Sequence, residues 1–219
     1  MEDLFLQILN MSITAVWIVL AVCVLRFILK KAPKWLSVAL WGMVGLRLVC
    51  PFSFESVFSL LPSAQTIPTD ITMQTEPAIH SGIPAFNSAI NPILSDSFAS
   101  NPGDSANPLQ IITFAAAVLW VIGVAGMLLY ALVSCIRLHK KTKESILLQD
   151  NVYLCDHIDT PFIFGLFKPR IFLPSDVNEN DVNHVLSHEK AHLQRHDHWW
   201  KPLGFLLLTV HWFNPVIWL

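Results

Sequence analysis

Four apolar runs constrain the fold of this chain more than any other feature of its sequence. Each is long enough, or nearly so, to supply the roughly 20 residues with which a helix crosses a bilayer. They extend from Leu4 to Leu29, from Trp35 to about Phe52, from Leu109 to Ile136 and from Pro202 to the last residue. Hydrophobic residues make up 53% of the chain and charged residues only 14%, which is unusual for a soluble domain. The sequence therefore predicts a multi-pass α-helical membrane protein.

The first apolar run is typical of an anchoring helix rather than of a removable signal peptide. It follows two acidic residues, Glu2 and Asp3, and it has neither a basic amino-terminal region nor a small-residue cleavage site. We therefore expect this helix to remain in the mature protein.

Lysine and arginine are distributed unevenly between the loops. Basic residues fill the loop between the first two runs and follow the third run directly: Lys30, Lys31, Lys34, Arg137, Lys140, Lys141 and Lys143. By the positive-inside rule, both of these segments are cytoplasmic. Residues 53–108 contain no lysine or arginine and hold seven of the fourteen prolines, which predicts an extracellular and largely irregular loop.

These patterns predict the following organisation. Residues 1–52 form two transmembrane helices joined by a short basic cytoplasmic loop, and a Pro-rich extracellular loop follows at 53–108. A third transmembrane helix spans 109–136, a cytoplasmic domain spans 137–201, and a fourth transmembrane helix spans 202–219. The amino terminus then lies outside the cell. The net charge of −2 gives no basic surface for nucleic acid, and we expect no nucleic-acid partner.

The cytoplasmic segment has the pattern of a small α+β domain. NVYLC at 151–155, PFIFG at 161–165 and RIFLP at 170–174 are short, rich in β-branched or aromatic residues, and bounded by Pro and Gly, so they are predicted to be strands. A helix is expected to follow and to extend to about His198.

The sequence His188-Glu189-Lys190-Ala191-His192 on this helix matches the motif HExxH. Two histidines four residues apart lie on one helical face, where both imidazoles can bind one Zn²⁺, and the adjacent glutamate can act as a general base. A polar helix can contain two such histidines by chance. The preceding strands and the location at a membrane surface favour the metal site.

Other polar residues nearby allow more than one role. His184 and His196 continue the same face, yet neither completes a ligand pattern, so we interpret them as solvated surface histidines. Asp197 is a candidate to orient a metal-bound histidine or to pair with Arg195.

His211 and Asn214 stand in the last apolar run, where polar side chains are costly unless they face a functional site or another helix. Both uses remain open for these two residues at this point.

Three motifs in order make this chain resemble the M56 family of integral membrane zinc metallopeptidases, the antirepressor family of the BlaR1 and MecR1 type. They are PFIFGLFKPRIFLP at 161–174, HEKAHLQRHD at 188–197 and HWFNPVIW at 211–218. GLRLVCPFS at 45–53 also fits, so the resemblance covers nearly the whole chain.

The resemblance implies a gluzincin-like zinc site in a bacterial cell membrane, with His188 and His192 as Zn²⁺ ligands and Glu189 as catalytic base. It also implies a sheet edge near residues 161–173 that holds an extended protein substrate. The substrate-edge candidates are Phe162, Ile163, Phe164 and Gly165. In the family's sensors cytoplasmic proteolysis lifts repression, so a cytoplasmic repressor or the chain itself is the expected substrate.

The resemblance also places the family's third zinc ligand, a glutamate, beyond the NP-containing helix, so we expect residues 1–219 to be a truncated form. The favoured function is a membrane-embedded zinc endopeptidase in signal transduction. The alternative is a catalytically incomplete homologue that acts only in metal or partner binding. A metal transporter is less favoured, because the histidines lie on an amphipathic helix rather than within several spans.

Overall fold

The computed structural model describes residues 1–30, 33–50, 66–98, 107–177 and 179–218. Lys31 and the parts of the predicted extracellular loop at 53–65 and 99–106 lie outside the described residues. In chain order, the elements are α1 (Glu2–Ile28), α2 (Lys34–Val49), α3 (Pro84–Phe98), α4 (Pro108–Lys141), β1 (Ile146–Gln149), β2 (Val152–Cys155), β3 (Phe162–Phe164), β4 (Arg170–Pro174), α5 (Glu179–Gln194), α6 (Asp197–Val210) and a 3₁₀ helix at Pro215–Trp218.

The chain divides into two compact units. Unit 1 comprises residues 1–125 and 207–219, and unit 2 comprises residues 126–206. The predicted cytoplasmic domain, 137–201, falls entirely within unit 2.

Unit 1 is built around the apolar helices α1 and α2. Its core contains Ala15, Val19 and Val22 from α1 and Val44 and Leu48 from α2, all buried. In the described part of the chain, two helices are long and apolar enough to cross a membrane: α1 and α4. They coincide with the first and third predicted spans. Helix α2 has 16 residues and is a shorter apolar helix.

Two expectations for the regions around these helices are wrong in part. Residues 84–98, in the segment expected to be largely irregular, form helix α3. Pro84 stands at its first position, where the missing N–H costs nothing. Pro92 lies inside the helix and removes one backbone donor there.

The fourth apolar run is not one continuous helix over residues 202–219. Helix α6 begins earlier, at Asp197, and ends at Val210, and a turn and the short 3₁₀ helix follow. Pro215 disfavours the α conformation at the residue before it, Asn214, which explains why the α-helix does not resume there.

Unit 2 contains a four-stranded mixed sheet with strand order β1-β2-β4-β3. Strand β2 runs parallel to β4, and the other two pairs are antiparallel. Strands β2, β3 and β4 confirm the three predicted strands within one residue at each end. Strand β1 was not predicted from the sequence. Val152, Ile171 and Leu173 form the buried core, against which α5 packs with Val182, Val185 and Leu186.

Candidate metal centre

The HExxH motif lies on α5, the helix that packs against the sheet. Val185 and Leu186 contact the core of unit 2. Glu189 follows them by four and three residues, so it continues the same face, and it is half-buried. His192 is half-buried and His188 is exposed. The motif therefore lies where the apolar face of α5 gives way to solvent.

The two motif histidines converge on one point. The Nε2 atoms of His188 and His192 lie 3.2 Å apart, and their ring centroids lie 4.8 Å apart in an edge-on arrangement. Two nitrogens that each bind one zinc at about 2.0–2.1 Å in a tetrahedral site are about 3.3 Å apart. The observed separation matches that of two ligands of one Zn²⁺, and it is also the length of a hydrogen bond between the two rings. Among the described residues, no group of three or more His, Cys, Asp or Glu side chains is arranged to hold a metal ion.

The chain turns sharply just after the motif. Helix α5 ends at Gln194 and α6 begins at Asp197, so the prediction of one helix as far as His198 is wrong. Between them His196 has φ 59°, in the left-handed region, and its N–H donates to the Leu193 carbonyl at 3.0 Å. Histidine is among the residues that adopt this region more readily than most. His196 thus ends α5 instead of extending its surface.

This turn brings Asp197 back to the motif. Asp197 Oδ2 lies 2.6 Å from His192 Nδ1. On a continuous helix, five residues correspond to a rotation of about 140°, so the two side chains would diverge. With Nδ1 protonated and donating to Asp197, the Nε2 atom of His192 keeps its lone pair for a metal.

The same contact governs the ionisation of Asp197. The hydrogen bond from His192 lowers the pKa of the Asp197 carboxyl below its usual value, and burial opposes this effect. Charge on His192, Lys201 and Arg195 lowers that pKa further. Asp197 is therefore a carboxylate at neutral pH. Its close contact is with His192, and Arg195 acts on it through charge alone.

The remaining histidines of the cluster do not join this pair. His184 is exposed on α5, and the ring of His196 stacks on that of His198 with centroids 6.1 Å apart. His198 also lies beside Trp199, at 6.3 Å between centroids.

His211 and Asn214 belong to unit 1. His211 is fully buried, and its Nε2 lies 3.2 Å from the Leu48 carbonyl oxygen of α2. Asn214 donates to Ser12 Oγ of α1 at 2.8 Å. Each residue thus contacts a neighbouring helix, and Asn214 Oδ1 also accepts from the Val216 N–H at 3.0 Å.

The substrate-edge candidates lie on or beside β3, which is an edge strand of the sheet. Ile163 points toward α5 and packs against the core, whereas Phe162 stacks on Phe172 with ring centroids 5.4 Å apart. Gly165 follows the strand with φ +110°. Helix α5 contacts β3 directly, so the HExxH helix and the sheet edge are neighbours within unit 2.

The described chain thus combines an HExxH helix packed on a small mixed sheet with two apolar helices of membrane length. Comparison with known proteins specifies the family. Residues 6–219 match the family described as "BlaR1 peptidase M56", and the chain belongs to this family. The family predicted from the three motifs is therefore confirmed.

Two named relatives show how far the similarity extends. The chain is 31% identical over 132 residues to "Regulatory protein BlaR1" of Bacillus licheniformis, which covers 50% of this chain and 22% of that protein. It is 25% identical over 132 residues to "Methicillin resistance mecR1 protein" of Staphylococcus aureus, with 49% and 22% covered. The matched part is thus about a fifth of each relative.

Proposed function

We propose that this protein is a membrane-embedded zinc endopeptidase of the M56 family. In this proposal the amino terminus lies outside a bacterial cell and the HExxH unit lies in the cytoplasm. The observation that carries it is the convergence of the His188 and His192 Nε2 atoms, 3.2 Å apart, with Asp197 against the second histidine. Membership of a peptidase family supports the same activity.

Each residue of the centre has a chemical task in this proposal. His188 and His192 bind Zn²⁺, which when bound supplies a Lewis acid that polarises a carbonyl and lowers the pKa of water. Asp197 holds His192 in the tautomer that presents Nε2. Glu189 accepts a proton from the attacking water and passes it to the leaving amine, as a general base within hydrogen-bond reach of that proton does.

The substrate is proposed to be a protein segment that pairs with β3 in an extended conformation. A free strand edge offers backbone N–H and C=O groups to such a segment, and alternate side chains can then be recognised. Phe162, Ile163, Phe164 and Gly165 would form this edge. One relative is named a regulatory protein, and this supports a regulatory substrate such as a cytoplasmic repressor, or the chain itself.

Zinc-dependent cleavage tests the proposal. The purified chain in nanodiscs is loaded with one equivalent of Zn²⁺ and assayed on fluorescent casein and for cleavage of the chain itself. We expect His192→Ala to abolish both cleavage and tight zinc binding. His184→Ala is the matched control, because it removes an exposed histidine from the same helix, and it should retain both. Equal activity in His192→Ala and the parent chain would contradict the proposal.

A second function is favoured by one observation. In the described residues only His188 and His192 converge, without a third side chain in place to complete a ligand group. A catalytically incomplete homologue would bind metal or a partner protein without cleaving it. The second function predicts that residues 1–219 bind zinc without cleaving a substrate. Cleavage by a chain extended with downstream sequence would then show that only this segment is catalytically incomplete. Proteolysis by residues 1–219 would rule the second function out.

A further inference from the structure

An apolar pocket of about 380 Å³ lies within unit 1. Its apolar walls come from α1, from two stretches of the segment that follows residue 65, and from the start of α3. They are Ile13, Trp17, Ile67, Ile79, Ile83 and Phe86. The volume is in the range of about 300–1,000 Å³ that is typical of small-molecule sites.

Two asparagines hold the pocket walls in place. Asn10, which is buried on α1, donates to the Ile67 carbonyl at 2.7 Å and accepts from the Ile67 N–H at 2.9 Å. Asn91 on α3 makes the same pair of bonds with Ile79, at 3.2 and 2.9 Å. Each side-chain amide satisfies both backbone groups of a lining residue, as a neighbouring strand would. These bonds fix the backbone of Ile67 against α1 and that of Ile79 against α3.

Two polar groups at the pocket are engaged within the protein. The hydroxyl of Ser81 donates to Asn87 Oδ1 at 2.6 Å. The carbonyl of Thr66 accepts from the His80 N–H at 2.8 Å. The walls consequently offer a ligand aliphatic and aromatic surface, and no charged side chain lines the described part of the pocket. Such a lining favours a hydrocarbon ligand over a polar one.

The pocket is continuous with a face of α1 that suits lipid. Trp17 lines the pocket and is 42% exposed, and Leu20 and Val24 continue the same helical face with 48% and 58% exposure. If α1 spans the bilayer as proposed above, this stripe faces acyl chains and leads directly into the pocket. We propose that the pocket binds the aliphatic chain of a membrane lipid and so ties the segment after residue 65 to the bilayer.

Photocrosslinking tests this assignment. The full chain is reconstituted in nanodiscs that contain phosphatidylcholine with a diazirine on one acyl chain, and labelled residues are mapped by mass spectrometry. We expect label at Ile67 and Ile79 in addition to the lipid-facing Leu20. In Ile79→Trp, which fills the pocket, label at Ile67 should fall about tenfold, because a filled cavity leaves no room for the chain.

Two further variants keep the outcome interpretable. Ile93→Trp adds the same side chain to the exposed side of α3 and should leave the label at Ile67 unchanged. Ile13→Trp fills the pocket from α1 and should reproduce the loss if Ile79→Trp does not fold. Label at Leu20 without label at Ile67 would overturn the assignment of the pocket as a lipid site. The same holds if label at Ile67 survives both filling variants. No label at Leu20 would overturn the membrane location of α1 on which the pocket assignment rests, whatever the zinc assays show.

Discussion

Asp197 reaches His192 only because the chain turns at His196, where φ is 59°. The carboxylate holds one imidazole by Nδ1 and leaves Nε2 free, so a single residue sets both the orientation and the basicity of a proposed ligand. The contribution of Asp197 can therefore be measured without removing a proposed ligand.

Replacing Asp197 by Asn should weaken zinc binding by about 10–100-fold, because the neutral amide holds the imidazole less firmly and lacks the negative charge of the carboxylate. Competition with a chromophoric chelator measures this affinity. Asp159→Asn changes an exposed carboxylate of unit 2 and should leave the affinity as it is. Equal affinities in the two variants would show that Asp197 does not support the ligand.

Gly165 is a second residue with a defined conformational task. Its φ is +110°, and a Cβ atom there would lie 2.6 Å from the Lys168 carbonyl oxygen. Gly165→Ala should therefore lower the free energy of unfolding by about 1–3 kcal/mol. Gly204→Ala, where nothing lies within 4 Å and α6 is helical, should be neutral or slightly stabilising. Thermal unfolding in detergent compares the two, and an unchanged midpoint for Gly165→Ala would contradict the strain at this turn.

The sequence was informative about residues whose spacing carries the chemistry. The i, i+4 spacing of His188 and His192 predicted their common face, because helix geometry alone fixes it. The turn at His196 could not be predicted, since neither Gly nor Pro marks it and the polar pattern continues through it. Because the contact of Asp197 depends on that turn, the sequence could not decide between His192 and Arg195 as its partner.

At the scale of elements, helix α4 approaches the segment after α6 through a glycine. A Cβ atom at Gly123 would overlap the indole of Trp212, whose Nε1 donates to the Trp120 carbonyl at 3.2 Å. In return, Trp120 Nε1 donates to the Val210 carbonyl at 2.8 Å. Each indole thus donates to a backbone carbonyl across this contact, and the two hydrogen bonds join α4 to residues 210–212 within unit 1.

Gly123→Ala should destabilise the protein by about 1–3 kcal/mol, because the indole of Trp212 must move and its hydrogen bond is lost. The matched control on the same helix is Gly126→Ala, where nothing lies within 4 Å and alanine favours the helix. The unfolding midpoints of the two variants should differ clearly. Equal midpoints would mean that Trp212 does not pack on Gly123.

Among the elements, regular patterns were predictable and short or atypical ones were not. Strands β2, β3 and β4 stand out as β-branched and aromatic runs between Pro and Gly. Strand β1 does not, because its sequence ILLQ shows no alternation of apolar and polar residues. In the structure all four of its residues are exposed. Helix α3 was hidden by its Pro, Ser and Asn content, and its regularity depends on contacts such as that of Asn91 with Ile79.

At the scale of the whole molecule, membership of the M56 family joins the apolar helices to the HExxH unit in one protein. In the residues that the structure describes, the four predicted spans correspond to two helices of membrane length, one shorter apolar helix and a final segment broken before Pro215. Hydropathy identifies apolar runs, but it cannot show where the helix within a run ends, because Pro215 acts through the local backbone. Pro202 lies inside α6 without ending it.

The most direct test of the central claim is the rate of proteolysis by Glu189→Gln at the same bound zinc as the parent chain. Glutamine keeps the size of the side chain and leaves both histidines in place, so zinc content should be unchanged. Because general-base catalysis typically contributes about 10²–10⁴-fold, we expect the cleavage rate to fall by at least about 100-fold. Cleavage at the parental rate with zinc bound would contradict the claim that this helix carries a peptidase centre.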